Sequence, residues 1–473
     1  MTTETLKPLF PIIDGKYKMK KEPVVRIGII LAQDNYGSVT LNTEEVKSVW
    51  ENSEKQEVYS CSKNTSFQIA LSENKDKVNL FEEGSDTEVI ATSNILRLCP
   101  MPRESDERET VGTLVKGLIA GRGFHWMKHI DQHLTGVLEF RSEKNKLLLV
   151  NELPLEDYLK GVATSEMSAN CPPEYIKAQT VAARSWLLGQ MQSCHPGQPY
   201  EWCNDDCCQR YQGTDGWSDV SSKAVDDCHG EVLITPNKLY CDARYSKSTG
   251  GISEDASFVW PKDEMECLDA RVDGPAKSTA EKFMPVTDDN VEEYLGGDWL
   301  QDTDLYCSPN AVSEDDLTRY MGRVDESGTY FRWKVTTDVN DTINTLKNKG
   351  VIDDIVALTD IITGKRGRSG RLSELTLKYI KSNGEEASYL IEDQYNIRDF
   401  MSAKFLYSSL FIVTDVERDS DGHITRYTLF GGGWGHGVGL CQIGGLGRAL
   451  AGQNYREILA HYFPGSKLES IYP

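Results

Sequence analysis

Leu155-Glu-Asp-Tyr-Leu-Lys-Gly-Val-Ala-Thr-Ser-Glu-Met167 is the stretch from which the fold can be read outward. Leu155, Tyr158, Leu159 and Val162 recur at helical spacing behind Pro154, where a first-turn proline is tolerated. Gly161 weakens this helix, so it is expected to be short. A second helix follows from Pro172-Pro-Glu-Tyr-Ile-Lys-Ala-Gln-Thr-Val-Ala-Ala-Arg-Ser-Trp186. Its apolar residues cover most of the circumference and predict burial. Glu166 falls in the corner between the two helices. A carboxyl walled there by apolar residues can serve as a general acid near neutral pH. Lys177 and Arg184 are seven positions apart and share one helix face. That face is either a snorkelling surface stripe or the cationic wall of a binding cleft.

On both sides of the helical pair the pattern is β-rich. Pro23-Val-Val-Arg-Ile-Gly-Ile-Ile30 and Lys146-Leu-Leu-Leu-Val-Asn151 read as buried strands. Short strands with polar turns fill the interval up to about residue 105. Residues 1–22 read as a polar arm and 101–110 as a charged linker. Two hairpins are expected later, one turning at Asn383-Gly384 and one near Asp421-Gly422. A closing helix opens on the capping box Asn454/Glu457 and stops at Pro464-Gly465. The fold class expected is α+β: a β-rich protein with a buried helical pair and two C-terminal helices. The division expected is a β-rich accessory region over 1–110 and a domain over 111–473 that contains an acidic, loop-rich insertion at about 261–330.

The 473 residues suffice for two or three domains, and their net charge of −22 excludes a phosphate-reading surface. Neither nucleic acid nor an anionic membrane is an expected partner, and no apolar run is long enough for a membrane span. Met1-Thr-Thr-Glu-Thr-Leu-Lys7 lacks the apolar core of a signal peptide, so the chain is expected to stay where it is made. Twelve cysteines are present. Three of them, in Cys203-Asn-Asp-Asp-Cys207-Cys208, have the softness and spacing of zinc ligands. His195, Cys194, Tyr245 or water could complete the set, and the bland alternative is unliganded thiols in a loop. Most of the scattered cysteines read as small buried hydrophobes. The run Arg366, Arg368, Arg371 reads as a solvated loop.

Gly433-Trp-Gly-His436-Gly-Val-Gly439 sets a histidine between glycines, which lets backbone approach a ligand or another segment closely. Trp434 offers a flat face of the kind that stacks on sugars. The alternative is a tight packing corner. No phosphate loop, dinucleotide fingerprint or Gly-x-Ser-x-Gly elbow is present.

Several of these stretches together resemble the SpoIID/LytB family of cell-wall proteins. They are Leu153-Pro-Leu-Glu-Asp-Tyr-Leu-Lys-Gly-Val162, Ser165-Glu-Met167, Lys177-Ala-Gln-Thr-Val-Ala-Ala-Arg184, Tyr245-Ser-Lys-Ser-Thr-Gly-Gly251, Gly433-Trp-Gly-His-Gly-Val-Gly-Leu-Cys-Gln442 and Tyr455–Gly465. The resemblance implies a peptidoglycan lytic transglycosylase with Glu166 as catalytic acid and base. It also implies a glycan cleft, with Lys177, Arg184 and His436 beside the acid and Tyr245, Ser248, Thr249, Trp434 and Gln442 binding substrate. The family's zinc site falls on Cys203, Cys207 and Cys208, although a histidine is common where this chain has Cys207. The other branch of the family implies a non-catalytic enhancer that works with a cell-wall amidase. Either branch implies the cell envelope. A proton-donating Glu166 would need apolar walls to outweigh any nearby Lys177 or Arg184. The loop Gly433–Gly439 is expected to fold back against the Glu166 corner.

Overall fold

The computed structural model describes residues 19–44, 47–51, 56–82, 89–101, 112–190, 194–261, 265–323, 325 and 328–473. The arm up to residue 18 and the linker from 102 to 111 lie outside the described residues. The chain is mixed α+β and divides into two compact units.

The first unit comprises Met1–Glu231 with Tyr320–Glu326 and Ser470–Pro473. It holds a seven-stranded and a six-stranded sheet, antiparallel apart from the short edge pair of Val24–Ile30 with Trp202–Cys203. The strands before and after the 102–111 segment share both sheets. Ile95–Pro100 pairs with Val137–Glu143, and Ser38–Thr43 pairs with Thr113–Ala120. Leu147, Leu148, Leu149 and Val150 are fully buried in succession, so the strand Lys146–Pro154 is covered on both faces.

That strand runs directly into helix α1 (Leu155–Glu166), and α2 (Pro173–Gly189) and α3 (Asp219–Asp227) pack against it. Every residue of α1 is buried. Gly161 does not cut the helix short. The Tyr211 ring and the Gly213 carbonyl lie where a side chain at 161 would project, so the glycine admits the loop that follows the Cys-rich segment. Tyr211 is anchored there by donating to Asn151 Oδ1 at 3.0 Å.

The second unit comprises Val232–Arg319 and Ser327–Glu469. One of its three-stranded sheets is Arg332–Asp338, Ile424–Gly432 and Phe411–Arg418; another is Ala357–Thr363, Glu374–Ile380 and Glu386–Glu392. Both expected hairpins are among these strands, with Gly384 and Gly422 at positive φ in their turns. Trp333, Leu346, Leu358, Leu377, Phe411 and Leu429 belong to its apolar core. The helix Tyr455–Tyr462 carries the Asn454/Glu457 capping box.

Candidate functional site

Glu166 is the last residue of α1 and is 8% exposed. Its Oε1 accepts the Arg210 backbone N–H at 3.0 Å. The neighbouring residue clamps the same loop, because Ser165 Oγ accepts from Gln212 N at 3.0 Å and donates to Gly161 O. Arg210 then reaches two carboxylates, Asp206 at 2.9 Å and Asp325 at 2.6 Å. Burial alone would depress this guanidinium; attraction to Asp206, Asp325 and Glu166 outweighs it and leaves Arg210 raised. Asp325 comes from Tyr320–Glu326, a short piece of the acidic insertion that belongs to the first unit. There Met321 bridges Met167, and Ser168 N donates to Tyr320 O.

The cation coupled to Glu166 is therefore Arg210, which the sequence did not single out. Arg184 is fully buried and forks onto Glu156, with Nε on Oε1 at 2.9 Å and Nη2 on Oε2 at 2.5 Å. Its Nη1 donates to Glu231 O, and Tyr472 and the Gly230 amide complete the shell of Glu156. Burial would raise the Glu156 carboxyl, but Arg184 holds it below the usual range. Glu156 lies in the first turn of α1 and Glu166 closes it, so about 15 Å of helix separates this pair from the candidate acid. Lys177 pairs with Glu174 at 2.8 Å and Asp227 at 3.8 Å. The shared face of α2 thus meets carboxylates of α1, α2 and α3.

The Cys-rich segment gathers its thiols. Cys203, Cys207, Cys208 and His195 present ligand atoms within 4.8 Å of one another. Cys203 and Cys207 sulfurs are 3.0 Å apart, and His195 Nε2 lies 3.4 Å from Cys208 and 3.9 Å from Cys207. Hydrogen bonds from Cys203 and Cys208 pull the Cys207 thiol down, while hydrogen bonding with Cys207 pushes Cys203 up and hydrogen bonding, with Cys194 first, pushes Cys208 up. Three thiols and one imidazole are a donor set suited to tetrahedral zinc, so this cluster could hold a metal ion, with His195 as fourth ligand. The segment is pinned on both sides. Asp205 takes the Gly121 and Arg122 amides, and Gln209 bridges Tyr158 to the Ala183 carbonyl.

Two further groupings are weaker. Asp419, Asp421 and His423 form a hairpin turn, and the buried trio Asp273, Cys307, Cys441 already has Arg448 and Tyr462 on Asp273. Cys61, Cys99, Cys171, Cys228, Cys241, Cys267, Cys307 and Cys441 are buried, as small hydrophobes would be.

The second unit brings the remaining expected residues together. Tyr245–Ser246 pairs in parallel with Leu440–Cys441, and Ser248 exchanges backbone hydrogen bonds with Trp434. Arg371, fully buried rather than solvated, lies under this crossing and donates to the carbonyls of Ser248, Thr249 and Gly435. Gly437, at φ 81°, passes so close to that guanidinium that no side chain fits. Ser248, Thr249 and Gln442 are buried, whereas Tyr245 and Trp434 keep some surface. Trp434 stacks on Tyr330 at 4.6 Å and leans on Tyr407 at 4.7 Å. His436 Nδ1 accepts the Val438 amide at 3.0 Å, and the Tyr245 backbone also hydrogen-bonds the ring. Burial, with Arg244, Arg371 and Arg398 nearby, lowers His436 to about 3, so it is a neutral imidazole.

The amino-acid sequence of this layout has known counterparts. Residues 143–234 match the family of the stage II sporulation protein, SpoIID. The chain carries a SpoIID domain. Glu166, Lys177, Arg184 and the three cysteines fall inside it. Residues 254–439 match a domain of unknown function, DUF8618, which contains Trp434 and His436. Beyond the SpoIID domain the homology is distant. The amidase enhancer of Bacillus subtilis (strain 168) is 29% identical over 323 residues, 66% of this chain and 40% of that protein. An uncharacterized protein of Brachyspira hyodysenteriae (strain ATCC 49526 / WA1) is 26% identical over 330 residues, 70% of each chain. The stage II sporulation protein D of Bacillus amyloliquefaciens is 29% identical over 125 residues, 24% of this chain and 36% of that protein. The chain thus spans two fifths of the amidase enhancer it matches.

Proposed function

We propose that the SpoIID domain cleaves the glycan strands of peptidoglycan as a lytic transglycosylase, with Glu166 as the single acid and base. The observation that carries this reading is the placement of Glu166. It is an almost buried carboxylate at a helix end, oriented by a main-chain N–H, while Arg210 takes up the neighbouring carboxylates Asp206 and Asp325. Glu166 gives its proton to the glycosidic oxygen as the bond breaks. The carboxylate then takes a proton from the sugar's own hydroxyl as that oxygen closes a 1,6-anhydro ring. No second carboxylate and no water take part, in contrast to two-carboxylate hydrolases.

Arg210 is a positioning residue in this scheme: its amide sets the carboxylate and its side chain balances the local charge. Arg184 and Lys177 hold the helical pair together. Zinc on Cys203, Cys207, Cys208 and His195 would lock the segment that presents the Arg210 amide, a structural contribution. In this reading Tyr245, Ser248, Thr249, Trp434, His436 and Gln442, gathered in the second unit, contribute to glycan binding.

Glu166→Gln tests the reading. The amide is near-isosteric but delivers no proton, so cleavage of glycan strands falls on the order of 100- to 10,000-fold with the fold intact. An unchanged rate in a folded variant removes Glu166 as the acid. The amidase enhancer among the relatives favours a second reading, a binding protein that stimulates a separate cell-wall amidase. That reading wins if the wild type cleaves nothing, raises amidase activity and does so equally well with Gln at 166.

A further inference from the structure

The turn that joins Thr113–Ala120 to Lys128–Leu134 carries Phe124, His125 and Trp126, which nothing above uses. Phe124 and Trp126 stack with centroids 4.3 Å apart and planes 4° from parallel, and His125 meets the Trp126 ring edge-on at 4.9 Å. Phe124 and Trp126 are partly exposed residues, with the Trp126 Nε1 edge buried, and Met127 beside them is 51% exposed. Aromatic rings that only needed burial would sit deeper; these stack face to face, covering each other's inner faces, and leave part of the stack at the surface.

The stack is tied by hydrogen bonds to the segment that contacts Glu166. Trp126 lies against Gly121. Asp205 accepts the amides of Gly121, Arg122 and Asp206 together. Asp206 holds the Arg210 side chain, whose own amide is on Glu166. On the far side of the turn, Lys128 Nζ reaches the Arg323 carbonyl, two residues before the Asp325 that holds Arg210. The aromatic turn, the Cys-rich segment and the 320–325 segment therefore form one bonded layer bordering the carboxylate.

We propose that the Phe124–Trp126 pair is a saccharide-stacking subsite of the Glu166 site. It takes the apolar C–H face of a pyranose ring of the bound strand, one or two sugars from the bond that is cut. The proposal deepens the glycan-cleaving reading and rests on it. Stacking fits a strand of repeating rings because it reads a ring face rather than a particular substituent, and it orders few rotatable bonds.

Co-sedimentation with insoluble peptidoglycan stripped of stem peptides tests this in a Glu166→Gln background, where binding is read without cleavage. Trp126→Ala and Phe124→Ala each weaken binding about 10-fold, whereas Trp126→Phe, which keeps a stackable ring, stays within about threefold of the parent. Equal binding by all variants overturns the subsite, as does equal loss with Trp126→Phe and Trp126→Ala, which marks a structural role. The wild-type cleavage assay separates the two claims: strand cleavage with unaltered Trp126→Ala binding leaves the enzyme and removes the subsite. Ring-dependent binding without any cleavage leaves the subsite and removes the enzyme.

Discussion

The two units bury their charges in opposite ways. In the first, guanidinium groups meet carboxylates: Arg184 on Glu156, Arg122 on Asp34 and Asp205, Arg210 on Asp206 and Asp325. All three arginines are raised, their partners outweighing burial. In the second, Arg371 and Arg332 serve mainly backbone carbonyls, and burial leaves both lowered. Glu254 is likewise held by the amides of Asp255, Arg368 and Ser369. His436 and His461 are neutral. Arg448 on Asp273 and Arg366 on Asp288 are exceptions in the second unit. Ion pairs tie helices and loops to one another and fail when one partner goes. Charges spent on carbonyls and amides shape loops, and they require the glycine-dense backbone that brings those groups close.

The contrast can be broken first at its strongest pair. Arg184→Ala should destabilise the first unit by about 3–5 kcal/mol, because it strands a buried Glu156 carboxylate. Replacing both partners, Arg184→Met with Glu156→Leu, should recover most of that loss, since apolar pairs often substitute for buried ion pairs. Arg371→Ala should cost the second unit about 2–3 kcal/mol, because it orphans carbonyls and removes only a through-space partner of Glu254, whose own hydrogen bonds remain. Chemical denaturation followed by hydrogen exchange assigns each loss to its unit.

Acid should separate the units next. His436 and His461 sit at about 3 in the folded chain, lowered by burial and then by neighbouring arginines, against an ordinary 6.5. The unfolded chain therefore binds more protons between those values, so their contribution is complete above pH 6.5 and is lost as pH falls toward 3. Glu156 is lowered from 4.5, so the ion pair's contribution persists above that value and fades only as pH falls through the depressed one. Hydrogen exchange near pH 5 should show the second unit loosened and α1 and α2 still protected. The reverse order would contradict the contrast.

Metal removal probes a third kind of restraint. Protein purified without added metal should contain about one zinc per chain. Chelation should raise exchange over 194–212 and leave the hairpins of the second unit unchanged. Absence of zinc, with all three thiols reacting freely, would overturn the metal centre. The smallest effect belongs to Lys177, whose partners are partly exposed. Lys177→Ala should cost under about 1 kcal/mol and leave cleavage nearly unchanged.

Helices and hairpins were legible because their signals are local: Pro154 and Pro172 at the helix starts, Asn383-Gly384 at a turn, Asn454 and Glu457 at a cap. The cysteine spacing also pointed to a thiol cluster, and His195 was among its possible partners. What could not be read were long-range pairings. Nothing around Arg184 announces Glu156 and Tyr472 as its partners, and Arg371 in a run of basic and glycine residues looks solvated. Arg210 and Asp325 meet only because a short segment of the insertion pairs beside Met167. Gly161 carried a helix-weakening signal whose cause, the Tyr211 ring, lies fifty residues away.

The central claim is that one carboxyl, Glu166, cuts glycan strands without water as a co-substrate. Incubating purified protein with peptide-free glycan strands, followed by mass spectrometry of the new ends, tests it directly. The account predicts 1,6-anhydro ends from the wild type, lighter by one water than hydrolytic ends, and none from Glu166→Gln. Reducing ends carrying the elements of water, or the same anhydro products from Glu166→Gln, would contradict it.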